Sequence, residues 1–395
     1  MQVTDLVLID GVRTPMAEYN GSFADLTAID LGVHAARALF ERTGVDPAEV
    51  EHSVVGNALQ TSADAIYGAR HVALRSGVPK EVPALTVNRL CGSGIQAILS
   101  GAHIILAGEA QVCLVGGIES MSQAPYVVRG ARRGYRLGHG KLEDLLYESL
   151  LDPYCGCYMA QTSNNLARDY GISRQEQDEF ALGSQRKAIA AWEEGRLAEE
   201  VVPVEVGSGK RAKRVERDEH PRPETTLEGL AKLPPAFDEN GFVTAGNASG
   251  IVDGAAMLLL TTADRAASWG KTPLARIRSW AVVGVEPSRM GIGPAPAIRA
   301  ALAKAGLALA DLDLIEINEA FAGQILACVK DLDLDPAKLN VNGGAIALGH
   351  PLGATGARIT LTLAKELKRR GGGLGVASAC IGGGQGIALI VETAA

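Results

Sequence analysis

The chain has 395 residues, too many for one simple core and enough for two or three compact units. Hydrophobic residues make up 47% and charged residues 21%, and the 47 glycines follow no G-X-Y period, so collagen-like and disordered classes are excluded. A net charge of −7 leaves no global basic footprint for nucleic acid.

Residues 1–15 predict a strand over 5–10 and a turn at Gly11 and Pro15. They hold no basic run and no long apolar core, so neither a signal peptide nor an Arg-rich transit peptide is expected. No apolar run reaches ~18 residues, so membrane insertion is not expected. Onward to residue 118, strands alternate with helices. A helix is predicted over 28–43, stopped by Gly44, and a strand over 54–59. A helix over 65–76 ends before Gly77 and Pro79, and 83–87 reads as a short buried strand. An apolar strand over 112–117 closes on Gly116-Gly117. Such alternation argues an α/β unit whose sheet lies between helix layers.

Within this unit, Val87-Asn88-Arg89-Leu90-Cys91-Gly92-Ser93-Gly94 sets a cysteine between an extended run and a helix carrying Ile95, Ile98, Leu99, Ala102, Ile105 and Leu106 on one face. Gly92 and Gly94 let backbone or substrate approach the thiol. A helix N-terminus favours thiolate over thiol. Cys91 is thus either a nucleophile or a small residue buried in a tight turn.

Between 119 and 246 apolar runs shorten, and prolines at 203, 221, 223, 234 and 235 interrupt the chain. Helices are predicted over 161–170 and 174–194. Two basic stretches occur here, one from Arg129 to Lys141 and one holding Lys210, Arg211, Lys213, Arg214, Arg217 and Arg222. Each is either a solvated face or an attraction for an anionic ligand tail. The region reads as a long insertion over the main body. A second α/β unit follows a strand at 255–261: strands over 274–285, 314–317 and 339–342, helices over 294–305, 320–330 and 353–370, and a hairpin of 375–379 with 386–391. Leu85-Thr86-Val87-Asn88 matches Leu339-Asn340-Val341-Asn342, which points to an internal repeat with its loops on a common seam.

Six cysteines, at 91, 113, 155, 157, 328 and 380, form no CxxC and match no zinc spacing, so no metal site is expected. All-reduced thiols suit a cytosolic setting. Four residues stand at glycine-rich loops: Cys91, Asn318, His350 and Cys380. A cysteine with a histidine suits an activated thiolate, an amide can hold a water or oxyanion, and a second thiol can act as acid or base. No G-x-G-x-x-G follows a strand and opens a helix, which excludes a dinucleotide fingerprint.

Six motifs stand in a fixed order: Asn88-Arg89-Leu90-Cys91-Gly92-Ser93-Gly94, Gly116-Gly117-Ile118-Glu119-Ser120-Met121-Ser122, Gly246-Asn247-Ala248-Ser249-Gly250-Ile251, Asn318-Glu319-Ala320-Phe321-Ala322, the run from Gly343 to Pro351, and the run from Cys380 to Gly386. In this order they resemble the thiolases over essentially the whole chain. The resemblance implies two thiolase-type α/β repeats in a five-layer α-β-α-β-α arrangement, with residues 1–118 plus 247–272 as the N-terminal repeat, 119–246 as a loop domain covering coenzyme A, and 273–395 as the C-terminal repeat. It implies that Cys91 is acylated, that His350 activates it and then coenzyme A, and that Cys380 moves the α-proton of acetyl-CoA. Asn318 would hold a water that forms one oxyanion hole with His350, and the N–H groups of Cys91 and Gly382 would form the other. Arg222 and Ser249 would contact coenzyme A, with Met159, Phe237, Ala320 and Phe321 lining the pantetheine channel. Coenzyme A and acyl-CoA would be substrates, with no resident cofactor, and the enzyme would be a homodimer or homotetramer.

Residues 64–71, 122–126 and 141–144 look like degradative 3-ketoacyl-CoA thiolases of the mitochondrial-matrix type. The alternative is an acetoacetyl-CoA thiolase. Tyr158, where the biosynthetic enzymes commonly have histidine, argues against that alternative, and Gly229 replaces a serine that some members place near coenzyme A. Ketoacyl synthases share the duplicated architecture but lack a second acid/base cysteine, so Cys380 favours thiolase.

Overall fold

A computed structural model describes residues 2–209 and 212–394. Lys210 and Arg211 of the second basic stretch lie outside the described residues. The backbone is a ten-stranded mixed sheet with helices on both faces. Nine strands form its path: β1 (Leu6–Arg13), β2 (His52–Gly56), β3 (Ala84–Val87), β4 (Val112–Glu119), β5 (Val252–Thr262), β6 (Ala275–Gly284), β7 (Leu314–Ile317), β8 (Gly373–Ile381) and β9 (Gln385–Thr393). Their spatial order is β7-β8-β9-β6-β1-β5-β4-β2-β3, and Ala17–Glu18 pairs with β5.

Read outward from the centre, the two halves match strand for strand. On one side β1, β5 and β4 pair antiparallel, then β4, β2 and β3 pair parallel. On the other, β6, β9 and β8 pair antiparallel, then β8 and β7 pair parallel. Among the described residues the strand pairs that join the halves are Val7↔Arg276 and Leu8↔Ala275. The position of β3 is taken in the second half by one parallel bridge, Ile315↔Leu339. The expected strand over 339–342 is therefore not formed. Asn340 has φ 43°, and its side chain accepts from Ile317 N at 2.9 Å and donates to Ile317 O at 2.9 Å, doing what a ladder would do. Its counterpart β3 is a real strand but a half-exposed edge rather than a buried one, with Leu85 44% exposed.

Layering follows from the period-2 alternation of the strands. Val112 and Leu114 of β4 pack outward with Ile29 and Leu39 of α1 (Ala28–Thr43) and Val72 of α2 (Gly68–Arg75). Cys113 and Val115 point the other way, to Ile95 and Ile98 of α3 (Ser93–Leu106). Helix α1 keeps its predicted bounds, because Thr27 and Asp30 form a capping box and Gly44 turns left-handed at φ 64°. Helices α4 (Met159–Asp169) and α5 (Arg174–Glu193) belong to the insertion. In the second half α6 (Pro294–Ala305) and α7 (Ala322–Leu332) cover the outer face. Between the two sheets α8 (Leu352–Arg369) lies against α3. A Cβ on Gly94 would collide with the Ala357 backbone, and one on Gly356 with Ile95 N, so two glycines let these central helices touch backbone to backbone. The layers are helix, sheet, helix pair, sheet, helix. Among the described residues no helix is long and apolar enough to cross a membrane.

Candidate active site

β3, β7 and β8 end close to the residues that carry the chemistry, as expected for ligand sites at the carboxyl ends of strands. β3 runs into a 3-10 turn, Leu90–Gly92, that holds Cys91. Leu90 sits in the left-handed region at φ 45°, a strained position for a side chain that bends the chain sharply before the thiol. Ser93 Oγ accepts from Arg89 N at 2.8 Å and donates to Leu90 O at 2.7 Å, locking the turn. Arg89 Nη1 donates to Gln385 Oε1 at 2.8 Å and ties it to the β8–β9 hairpin. That hairpin turns through Gly383 and Gly384, at φ 80° and 81°, and aims the Gly382 N–H at the Cys91 sulfur.

Cys91 is half-buried, and burial pushes its thiol up to about 11. Hydrogen bonds from the Gly382 and Cys91 N–H groups pull the other way, and the Glu119 charge raises it further. Desolvation thus outweighs the pull of the helix N-terminus toward thiolate, and the thiol needs a base.

His350 lies just before α8 and is buried. Its Nδ1 meets Thr355 Oγ1 at 2.6 Å, and Thr355 Oγ1 donates to Pro351 O at 2.9 Å. The hydroxyl proton is therefore spent on Pro351, so Thr355 accepts from Nδ1–H and Nε2 carries the free lone pair. Asn318 Nδ2 donates to that Nε2 at 3.2 Å. Asn318 Oδ1 is buried with no protein partner. Burial, aided by the Arg358 charge, pushes His350 down to about 3 and keeps it a neutral base. Cys380 is fully buried on β8 beside Met290 and Ala320, and burial together with the neighbouring Cys91 and Cys328 holds its thiol well above the usual range.

One cavity of about 410 Å³ joins Cys91 and His350. Its lining is predominantly apolar and includes Met159, Phe237, Ser249, Ala320 and Phe321. Asn318 reaches the site through His350, and Gly382 through its N–H. Arg222 is not in the lining. It is ion-paired with Glu18, which is in the lining together with His220. Gly229 lies in the short helix Leu227–Ala231. Reading the sequence missed Thr355, Met121, Leu150, Met290 and Leu352. Met121 stood inside a recognised motif, whereas Thr355 gave no signal beyond lying one helical turn past His350. In the first basic stretch Arg129 and Lys141 pair with Glu143, while Arg132, Arg133 and Arg136 are exposed and form no ion pair among the described residues.

Comparison with known proteins decides the family. The thiolase N-terminal domain matches residues 6–264 and the thiolase C-terminal domain residues 271–393. The chain belongs to the thiolase family. It is an acyltransferase, and its fold is the duplicated thiolase fold. It is 55% identical to human mitochondrial 3-ketoacyl-CoA thiolase over 97% of each chain. It is 50% identical to the acetyl-CoA acetyltransferase of Escherichia coli (strain K12) over 98% of each. The crystal structure of the human mitochondrial 3-ketoacyl-CoA thiolase in complex with CoA superposes with a TM-score of 0.96 at 53% identity, covering 99% of this chain and 98% of that one. These names correct the cytosolic expectation, since the thiolases at 52–55% identity are named mitochondrial. Reduced thiols fit any reducing compartment and do not single out the cytosol.

Proposed function

We propose that this thiolase cleaves 3-ketoacyl-CoA with coenzyme A to give acetyl-CoA and a shortened acyl-CoA, reversibly, through an acyl group on Cys91. The observation that carries this is the neutral Cys91–His350 pair opening into one apolar cavity, with a second thiol, Cys380, buried beside it. His350 Nε2 takes the Cys91 proton as the sulfur attacks the 3-keto carbon. The alkoxide collapses, the C2–C3 bond breaks, and the electron pair becomes the enolate of acetyl-CoA. Cys380 gives its proton to C2 and recovers one from His350. The free base then takes the thiol proton of coenzyme A, which attacks the acyl-enzyme, and Cys91 leaves and regains that proton. No further redox or metal chemistry is needed, so coenzyme A and acyl-CoA act as substrates rather than as a resident cofactor.

Two oxyanion holes divide the charge. The Gly382 N–H, now held on the Cys91 sulfur, and the Cys91 N–H serve one of them. Asn318, through a water, serves the other with His350, whose Nε2 becomes a donor only after it has taken a proton. Residues 119–246 cover coenzyme A, and Arg222 at the mouth exchanges Glu18 for polar groups of coenzyme A beside Ser249. Met159, Phe237, Ala320 and Phe321 flank the pantetheine arm. The half-exposed edge β3, with Leu85 44% exposed, and the turn after it, with Leu90 39% exposed, favour a dimer or tetramer of this chain.

The degradative reading is preferred because Met121, Leu150, Tyr158 and Leu352 extend the apolar lining for an acyl chain. The second reading is an acetoacetyl-CoA thiolase, favoured by the 50% identity to the bacterial acetyltransferase. Thiolysis rates measured from acetoacetyl-CoA to long-chain 3-ketoacyl-CoA separate them. Sustained or rising kcat/KM beyond four carbons is expected, and a sharp maximum at four carbons would establish the second reading.

A further inference from the structure

One buried carboxylate near the site has no part in the steps above. Glu119 ends β4, is fully buried, and has no cation of the described residues paired with it. Its carboxylate instead collects four N–H donors. Oε1 accepts from Asn57 Nδ2 at 2.7 Å and Leu59 N at 3.1 Å. Oε2 accepts from Ala58 N at 3.0 Å and Gly353 N at 2.8 Å. These donors come from two separate places: the loop after β2 and the first turn of α8.

We infer that Glu119 is a positioning residue that holds the Cys91 turn and the His350 loop in register, and that it does so as a carboxylate. The link to the nucleophile is short. Ala58, held through its N–H, accepts from Asn88 Nδ2 at 3.0 Å, and Asn88 Oδ1 accepts from Leu90 N at 2.9 Å. Ala58 and Leu59 also belong to the apolar cluster against which Cys91 packs. The link to the base runs through Gly353, three residues past His350, where a Cβ would collide with Ile118 O. One side chain of the first half therefore fixes loops of both halves.

The donor pattern selects the ionised form. Each oxygen already faces two N–H groups, so a protonated carboxyl would point its O–H at a donor, and an amide would point its NH2 at two. Asp253 and Cys91 are the titratable groups that face Glu119. Burial, with Asp253, pushes the carboxyl up to about 7, and the three backbone N–H groups oppose that. Burial is the main reason the Cys91 thiol is raised, and the Glu119 charge adds to it.

The test uses the full-length enzyme and three variants: Glu119→Gln, Glu119→Asp and Asn57→Ala. Thiolysis kcat and KM are read together with the pH midpoint of Cys91 alkylation by iodoacetamide. The kcat readout rests on the function proposed above, whereas alkylation does not, so the two can fail separately. Glu119→Gln should lower kcat by about 10- to 100-fold with KM little changed, the scale expected for small misplacement of reacting groups. It should also move the alkylation midpoint to lower pH. Glu119→Asp keeps the charge, so the midpoint should stay while kcat falls. Asn57→Ala removes one donor and should lower kcat by a few-fold even if the Glu119 variants do not fold. Wild-type kcat in Asn57→Ala or in Glu119→Gln overturns the positioning role. An unmoved midpoint in folded Glu119→Gln overturns the electrostatic one.

Discussion

In the first half, β3 runs beside β2 as a full strand and hands the chain to a half-exposed turn at Cys91. In the second half, the equivalent segment keeps one bridge at Leu339, and the chain beyond it folds into a buried loop that leads to His350. Glu319 organises that loop by accepting from Asn340 Nδ2 at 2.9 Å, Ser184 Oγ at 2.6 Å and Ile346 N at 3.2 Å. Glu119 does the corresponding work beside Cys91. The strand plan is duplicated, and burial separates the roles. A half-buried thiol comes from one half, and a buried neutral imidazole with a fully buried second thiol comes from the other. The difference teaches that duplication supplied a platform on which each half was free to specialise its loops.

The division of labour can be broken at each half in turn. Cys91→Ser, on the reachable turn, should lower thiolysis by roughly 10⁴-fold or more, because the covalent route is lost. On the buried side His350→Asn should lower the rate of acyl-enzyme formation by about 10²- to 10⁴-fold, as for loss of a general base. Stopped-flow measurement of coenzyme A release from an acyl-CoA checks this. Cys380→Ser should slow α-proton exchange of acetyl-CoA by about 10²-fold or more while acylation continues. Equal loss of exchange and acylation would merge the two thiols into one role. Thr355→Val removes the acceptor that fixes the His350 tautomer and should cost about 1–3 kcal/mol of stability, read by denaturant unfolding, through an unpartnered buried Nδ1–H.

An effect of similar size lies in the pH dependence of stability. The His350 pKa is pushed down from 6.5 to about 3 in the folded state, so between those values the unfolded chain binds more protons. Stability from this group is full above 6.5 and falls as the pH drops toward 3, by up to about 1.4 kcal/mol per pH unit. Wild type should therefore lose more stability than His350→Asn between pH 7 and pH 5, measured by urea unfolding at both.

Much of this was legible in the sequence. The helices at 28–43 and 294–305 kept their predicted bounds, because Gly44 and Gly306 stop them in left-handed turns. The sequence singled out Cys91, Asn318, His350 and Cys380, since glycine-rich turns next to strands leave a visible pattern, and Cys380 lies on β8 itself rather than in the loop after it. The strand at 339–342 was misread because Leu-Asn-Val-Asn alternates as Leu-Thr-Val-Asn does, and alternation does not reveal that Asn340 bonds the backbone of Ile317 with its side chain. Alternation also does not separate an edge from a centre, which is why 83–87 looked buried. Glu119, Glu319 and Thr355 were left unassigned. The two carboxylates work by accepting from distant segments, Glu119 from Gly353 across 234 residues, and no local spacing encodes that. The balance at Cys91 was hidden for a related reason: its desolvation comes from packing, which the turn sequence does not display.

The most direct test of the account is peptide-resolved mass spectrometry of Cys380→Ser enzyme mixed with acyl-CoA and quenched. An acyl group on Cys91, absent when Cys91 is also changed to serine, is the predicted result. An acyl group carried by any other residue, or one that persists without Cys91, would contradict the assignment of the two thiols.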